Sequence, residues 1–489
     1  MLKINILSIG LLLSHMLIGQ ASFELEYNKP GDEFFRYTSE TSTGDYILIG
    51  DQSEYSYSVP KSQLILKLNS SGEIINEVIY TKPDTNFFFI YGYEKANGNY
   101  FLMGILTDSL TSNDYNITYV CERTPELNLV WEKLYAIPEP YIHHNLDNFI
   151  MDTDSMLIIQ GSADSSQDGW DRVLLTMKFD KYGNQLGLNL YNNWYSPSLS
   201  NAMIFNKDST SIFFFGIFTT GLSVLKEFIE MDLDFNIMDY ISIVDWEHYS
   251  SPPLTVKIMP NSNFLQAQKS TIEPGAYHDL YIKIMDEEFN TIRDTLLLYP
   301  GYDYIPYYKG MGFIDQNQIW IPTFNPEFNS FTGTEVFRFH IFDSNLNLTG
   351  MKLYGGDRRY TFFNMIVTSD GGCLMTGSVC DFNGSYSDNG YIIKVMPDDI
   401  ITHAEDTPIT NDRDVMVYPN PFKNEIRFQT VRKDLTFELH DITGKKILSG
   451  DIEDHTESKI SAGNLNHGIY FYTIQDDNRI IQSGKLIRE

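Results

Sequence analysis

The residues with chemical potential fall in a few short clusters. His143-His144 and Asp245-Trp246-Glu247-His248 bring imidazoles and carboxylates close together in sequence. A metal or acid/base site needs side chains that converge, and neighbours along an extended strand point to opposite faces, so neither cluster chelates by itself. Trp246 and His248 stand as candidates for ligand binding. Asp164 to Asp168 and Asp381-Phe382-Asn383-Gly384 set the oxygen donors Asp164, Asp168, Asp381 and Asn383 in polar loops. Such donors suit calcium, although neither loop has the full spacing of a calcium-binding loop. The stretch from Tyr299 to Tyr308 carries Tyr299, Tyr302, Tyr304, Tyr307 and Tyr308 beside Asp303. Flat rings with a polar neighbour form a surface on which a sugar ring or a peptide could stack, and packing between neighbouring structural units is the alternative use of the same rings. No Gly-x-Ser-x-Gly elbow, His-Glu-x-x-His pair or phosphate-cradling glycine loop occurs. No catalytic residue is therefore assigned, and calcium is the one cofactor the pattern suggests. Binding of a glycan or a protein is the favoured reading, with an extracellular polysaccharide hydrolase or lyase as the alternative.

The elements that must position these loops repeat along the chain. One unit begins with a small polar turn and an apolar strand, Gly44-Asp45-Tyr46-Ile47-Leu48-Ile49-Gly50, and continues through Leu64 to Leu68, a polar turn at 69–73 and a further strand near Ile75 to Tyr80. The apolar strand recurs, closing at residues 50, 104, 161, 216, 267, 322 and 377, in steps of 54, 57, 55, 51, 55 and 55. Short strands rich in β-branched and aromatic residues at a period near 55, four to a unit, suit the blades of a propeller better than the coils of a solenoid. The seventh unit stops after its third strand, and Phe23-Glu24-Leu25-Glu26-Tyr27 offers the missing outer strand. The expected fold is all-β: a seven-bladed β-propeller closed by the N-terminal strand, then a small immunoglobulin-like β-sandwich. Loops between second and third strands and between units would emerge together on one face, which is where a site belongs.

The termini speak to compartment. Lys3 followed by the interrupted apolar run to Ile18 and by Gly19-Gln20-Ala21 has the three parts of a secretory signal peptide at 1–21. No later segment approaches the length of a membrane-spanning helix, so no transmembrane segment is expected in the mature protein. Cys121, Cys373 and Cys380 match no zinc or redox spacing and read as buried apolar residues. The net charge of −30 disfavours nucleic acid as a partner. Ten basic and eleven acidic residues lie in 416–489, so the acidity belongs to the region before it.

Residues 22–402 thus form the expected propeller and 403–415 a polar linker. The remainder, 416–489, carries four motifs in order: Tyr418-Pro419-Asn420-Pro421; the turn from Asp441 to Gly444 and Lys445; the strand with Gly468 and Tyr470; and the terminal Lys485-Leu486-Ile487-Arg488. This order resembles the type A C-terminal sorting domain of the type IX secretion system. The resemblance implies transport through the outer membrane and handling by the type IX secretion machinery and its sorting peptidase. It also implies removal of the domain, and either surface attachment through a lipopolysaccharide or release. The protein would then be extracellular, reached by way of the periplasm.

Overall fold

The computed structural model describes residues 22–400 and 415–488, apart from loops at 54–60, 83–84, 109–115, 142, 152–155, 166–172, 192–201, 221–222, 244–248, 272–278, 298–309, 325–335, 356–357, 381–387, 419–420, 430–434, 442–443, 453–457 and 477–478. Among these residues, 23–395 form seven four-stranded antiparallel sheets, each built from strands consecutive in the chain except the last. Sheet 1 comprises Asp32–Glu40, Tyr46–Ser53, Lys61–Leu68 and Ile74–Tyr80. Sheets 2 to 6 follow over 85–136, 143–191, 202–243, 249–297 and 312–355. Sheet 7 is Arg359–Val367, Cys373–Cys380 and Asp388–Val395, with Phe23–Tyr27 paired antiparallel to its third strand. Among the described residues the second and third strands of the sheets are buried almost throughout, whereas the fourth strands are half-buried to exposed.

The first strands meet one another. That of sheet 1 lies against those of sheets 2 and 7, that of sheet 3 against those of sheets 2 and 4, and that of sheet 6 against that of sheet 7. Sheets 5 and 6 share a cluster in which Leu265 and Ile282 pack with Ile319 and Ile321. Tyr37 of sheet 1 even touches Phe149 of sheet 3, with ring centroids 5.2 Å apart. Sheets that are not neighbours in the chain can touch in this way only where first strands converge.

The repeated glycine has a different role from the strand end that the sequence suggests. Gly50, Gly104, Gly161 and Gly377 lie inside their strands, each facing a residue of the first strand just before a β-bulge. The bulge turns a first-strand carbonyl toward the glycine. A Cβ on Gly50, Gly161 or Gly377 would lie 1.9, 1.9 or 1.8 Å from the oxygens of Phe34, Asn145 and Thr361 respectively. The bulges insert Arg36, Ile90, Asp147 and Phe363 as the extra residues.

A second repeated device joins consecutive sheets. In the turns between third and fourth strands, Asp180, Asp232, Asp286 and Asp343 accept the backbone N–H groups of the residues two and four ahead, and their second oxygen accepts the side-chain amide of Asn184, Asn236, Asn290 or Asn347. The residue before each Asn has positive φ: Gly183, Phe235, Phe289 and Leu346. The preceding sheet then grips the turn. Tyr135 Oη donates to Gly183 O at 2.7 Å, Lys178 Nζ to Leu233 O at 2.9 Å, and Arg293 to Asn345 O at 3.0 Å.

Residues 416–488 make a separate two-sheet unit. Met416–Tyr418, Glu425–Gln429 and Ser458–Ser461 form one sheet. The other has the order Lys446–Ile452, Leu435–His440, Gly468–Asp476, Arg479–Arg488. Phe422, Phe428, Phe437, Leu439, Ile474 and Leu486 fill the core between them. Among the described residues no helix is long and apolar enough to cross a membrane, and all three cysteines are buried.

Candidate functional site

The bulges place polar and aromatic side chains where first strands converge. Arg36 is held by the buried carboxylate of Asp51 on the adjacent strand: its Nε donates to Oδ1 and its second amino group to Oδ2 at 3.2 Å. A guanidinium clamped by two parallel hydrogen bonds is fixed in plane as well as in position. Its central carbon lies 5.6 Å from the Phe34 ring and 5.1 Å from the Phe363 ring, and those rings are 6.3 Å apart edge to face. Sheets 1 and 7 thus build one small surface of an oriented cation between two phenyl rings. Arg359 of sheet 7 donates to Asp388 at 3.3 Å, and the Asp388 backbone N–H donates to Asp32 of sheet 1 at 3.0 Å. Burial raises the Asp388 carboxyl above its ordinary range, against the lowering effect of Arg359.

Further along the same first strands, aromatic rings close together. Tyr37, Tyr91 and Phe149, from sheets 1, 2 and 3, form a three-ring cluster with centroid separations of 5.2, 5.2 and 3.7 Å. Tyr93 lies at its side, tilted against Tyr91 at 5.9 Å. Desolvation raises the Tyr37 and Tyr91 hydroxyls well above the usual phenol range, so both stay neutral and act as packing.

Two repeat positions at sheet junctions depart from the apolar rule. Phe87 in sheet 2 and Tyr360 in sheet 7 stand two residues before the one facing the glycine position, and both are buried. The corresponding residues in sheets 1 and 3 are Glu33 and His144, also buried. Glu33 accepts a hydrogen bond from Gln52 at 3.1 Å, and burial pushes its carboxyl up to about 7 against the lowering effect of Gln52 and the Lys29 backbone. His144 Nε2 lies 2.9 Å from Thr118 Oγ1 across the junction. Burial, and after it the neighbouring His143, lowers the His144 imidazole to about 4.

His143 and His144 do diverge, as extended backbone requires. His144 enters the junction, and His143 stands opposite Asp164 in the strand register. Asp164 is therefore brought beside an imidazole and is buried at the end of its strand. Its suggested calcium partner Asp168 lies outside the described residues, as do Asp381, Asn383, Trp246, His248 and the five tyrosines from Tyr299 to Tyr308. Among the described residues no three His, Cys, Asp or Glu side chains converge as metal ligands.

In the C-terminal unit the motif residues divide by role. Tyr470 and Leu486 are buried, and the Tyr470 hydroxyl donates to Asn466 O at 2.7 Å. Asp441 accepts the Lys445 N–H at 3.1 Å across a turn in which Gly444 has φ of 81°, and Gly468 has φ of 155°. Arg488 donates to Lys423 O at 2.8 Å and to Gly463 O at 2.9 Å, tying the last strand to two loops. Tyr418 is buried and Pro421 exposed, while Pro419 and Asn420 lie outside the described residues. Lys445 and Lys485 face outward.

Sequence reasoning missed Arg36, Asp51, Phe34 and Phe363. The available signal was a lone arginine inside the apolar run Phe34-Phe35-Arg36-Tyr37. A charge there is tolerable only if the strand bulges and a counter-ion waits on the next one.

Residues 416–489 match the family model described as the secretion system C-terminal sorting domain. No curated protein matches the chain. Similar solved structures include a protein of unknown function from Dyadobacter fermentans at 9% identity, covering 76% of this chain and 98% of that one with a TM-score of 0.45. An α-L-arabinanase from Penicillium chrysogenum is similar at 9% identity, with 76% and 97% coverage and a TM-score of 0.41. The GH93 α-L-arabinofuranosidase of Fusarium graminearum is similar at 10% identity, with 78% and 99% coverage and a TM-score of 0.40. The sorting-domain match supports export by the type IX system to the cell surface or the medium.

Proposed function

We propose that this chain is an exported binding protein. Its signal peptide at 1–21 is removed, residues 22–402 form a seven-bladed propeller closed by the strand Phe23–Tyr27, and the linker at 403–415 joins it to a detachable sorting domain at 416–489. The converging first strands are the inner strands of the ring, and the three-ring cluster of Tyr37, Tyr91 and Phe149 is a floor across its axis. The site is then a shallow mouth above that floor, open to the loops between second and third strands.

The observation that carries the reading is the clamped guanidinium of Arg36 between Phe34 and Phe363. Rings offer a sugar face or an apolar side chain a flat contact, and an oriented N–H fork offers hydroxyl or carbonyl oxygens fixed donors. A glycan or a protein segment fits that chemistry. The hydrolase or lyase reading draws on the same face. Asp51 is already committed to Arg36, so a catalytic pair of carboxylates would come from the surrounding loops.

The test is a glycan array and a reducing-end release assay on the secreted full-length chain, with and without calcium. Binding that falls about tenfold or more in Phe34→Ala/Phe363→Ala supports the mouth as the site. Retention of full binding in that variant places the ligand elsewhere, and release of reducing ends favours the hydrolase.

A further inference from the structure

The large apolar side chains exposed on the sorting domain lie together. Among its described residues these are Ile447, Ile469 and Phe471, at 37%, 45% and 48% exposure. All belong to the sheet ordered Lys446–Ile452, Leu435–His440, Gly468–Asp476, Arg479–Arg488, on the side away from the core. The register joins them into one patch. Phe471 stands between His440 on one neighbouring strand and Lys485 on the other, and Ile469 stands opposite Ile487. His440 in turn faces Lys446, beside Ile447. The alternate residues Tyr470, Leu439 and Leu486 point into the core.

The terminal motif acquires a physical reading from this alternation. In Lys485-Leu486-Ile487-Arg488, Leu486 is a core residue and Arg488 ties the strand to two loops, while Lys485 and Ile487 contribute to the outward patch. The rim is basic: Lys445, Lys446 and Lys485 are exposed and His440 is beside them. Glu438, the acid set within this group, accepts from Lys446 at 2.8 Å and has His440 at 3.5 Å. Asp451 lies toward the far end of the Lys446–Ile452 strand.

We propose that this face, centred on Ile469, Phe471 and Ile487, is the surface by which the domain docks on a protein component of the export machinery, one with an apolar patch rimmed by acidic side chains. The inference rests on the export reading above. Charge selects this occupant: a second copy packed face to face would bring lysines onto lysines, whereas an acidic rim would pair with them while the apolar centres exclude water.

The test expresses the full-length chain in a bacterium carrying the type IX system and measures the fraction reaching the surface and medium against the fraction left in the periplasm. Failure of the unaltered chain to leave the periplasm overturns the export reading itself. With export established, Ile469→Thr/Phe471→Ser and, separately, Lys446→Glu/Lys485→Glu are expected to cut the exported fraction roughly tenfold. The purified variants should keep the melting temperature of the parent. Ile292→Ser, which removes an equally exposed apolar residue from sheet 5, should leave export unchanged. Undiminished export in both double variants overturns the proposal, and so does a loss matched by a loss of folded protein in both. A photo-cross-linking residue at position 471 should join an outer-membrane export protein. Adducts confined to lipid, to the chain's own propeller or to a second copy also overturn it.

Discussion

Replacing Gly161 with alanine tests whether the repeated glycine is there to admit a bulge. A Cβ at that position would lie 1.9 Å from the carbonyl oxygen of Asn145 and 3.1 Å from Leu146 Cα, and both obstacles are backbone. Side chains keep at least 3.0 Å from such an atom, so the first two strands of sheet 3 must part by about 1 Å or lose the bulge. Overpacking of a close-packed interior costs about 1–3 kcal/mol, and a weakened ladder hydrogen bond adds about 1 kcal/mol. Gly187 in the same sheet is the control. The nearest atoms to its Cβ would be Phe235 Cε2 at 3.7 Å and Lys178 Cβ at 3.8 Å, ordinary contacts. Alanine there should be neutral or stabilise by about 0.5–1 kcal/mol, because glycine gives up more backbone freedom on folding. With an unfolding entropy of about 2.1 cal/mol/K per residue over roughly 370 residues, the first change lowers Tm by about 3–5 °C and the second leaves it within about 1 °C. Scanning calorimetry of the two full-length variants decides the matter. A Gly161→Ala melt within about 1 °C of the parent, or an equal drop in Gly187→Ala, would refute the bulge as the reason for the glycine.

Two further outcomes follow from the polar groups at the sheet junctions and beside the Phe34 and Phe363 rings. Arg36→Ala takes from the buried Asp51 carboxylate the guanidinium that clamps it and should cost roughly 3–5 kcal/mol in denaturant unfolding, while Arg36→Met/Asp51→Leu should recover most of that loss. Glu33 and His144 should impose opposite pH dependences. The folded-state pKa of Glu33 is raised to about 7, so its contribution to stability is fully present below the ordinary carboxylate value and is lost as pH rises toward about 7. The folded-state pKa of His144 is lowered to about 4, so its penalty is absent at neutral pH and grows as pH falls from about 6.5 to about 4. Glu33→Gln should therefore remove the decline on the alkaline side, and His144→Phe, which installs the residue that sheet 2 uses at Phe87, should remove the decline on the acid side. Unfolding free energies measured from pH 4 to 8 check both, and unchanged profiles would contradict them.

Much of the fold was legible because its signals are local. The apolar strands, the turn residues between them and the period near 55 are written within each unit, and the sheets follow them strand by strand. The missing fourth strand of the last unit was readable as well, since Phe23–Tyr27 does pair with Asp388–Val395. The polar residues of the first strands were not readable. Arg36 looks misplaced in an apolar run until Phe363, from the other end of the repeat region, and Asp51, on the next strand, are brought to it. The Asp-to-Asn turns were visible as polar loops, but their use as handles for the preceding sheet depends on side chains some fifty residues upstream, such as Lys178 reaching Leu233.

The sequence by itself therefore determined the sorting-domain motifs of 416–489 and the size of the repeating unit before them. A sorting address is a short contiguous set of motifs, and strand periodicity depends on neighbours a few residues away. Only the tertiary structure decided that the recurring glycine belongs to a bulge, that an arginine from sheet 1 lies between rings from sheets 1 and 7, and that the outward residues of the terminal motif join a common apolar face. The reason is physical: these are contacts between strands whose register and adjacency are set by how whole sheets pack, and no local pattern encodes which sheet comes to lie beside which.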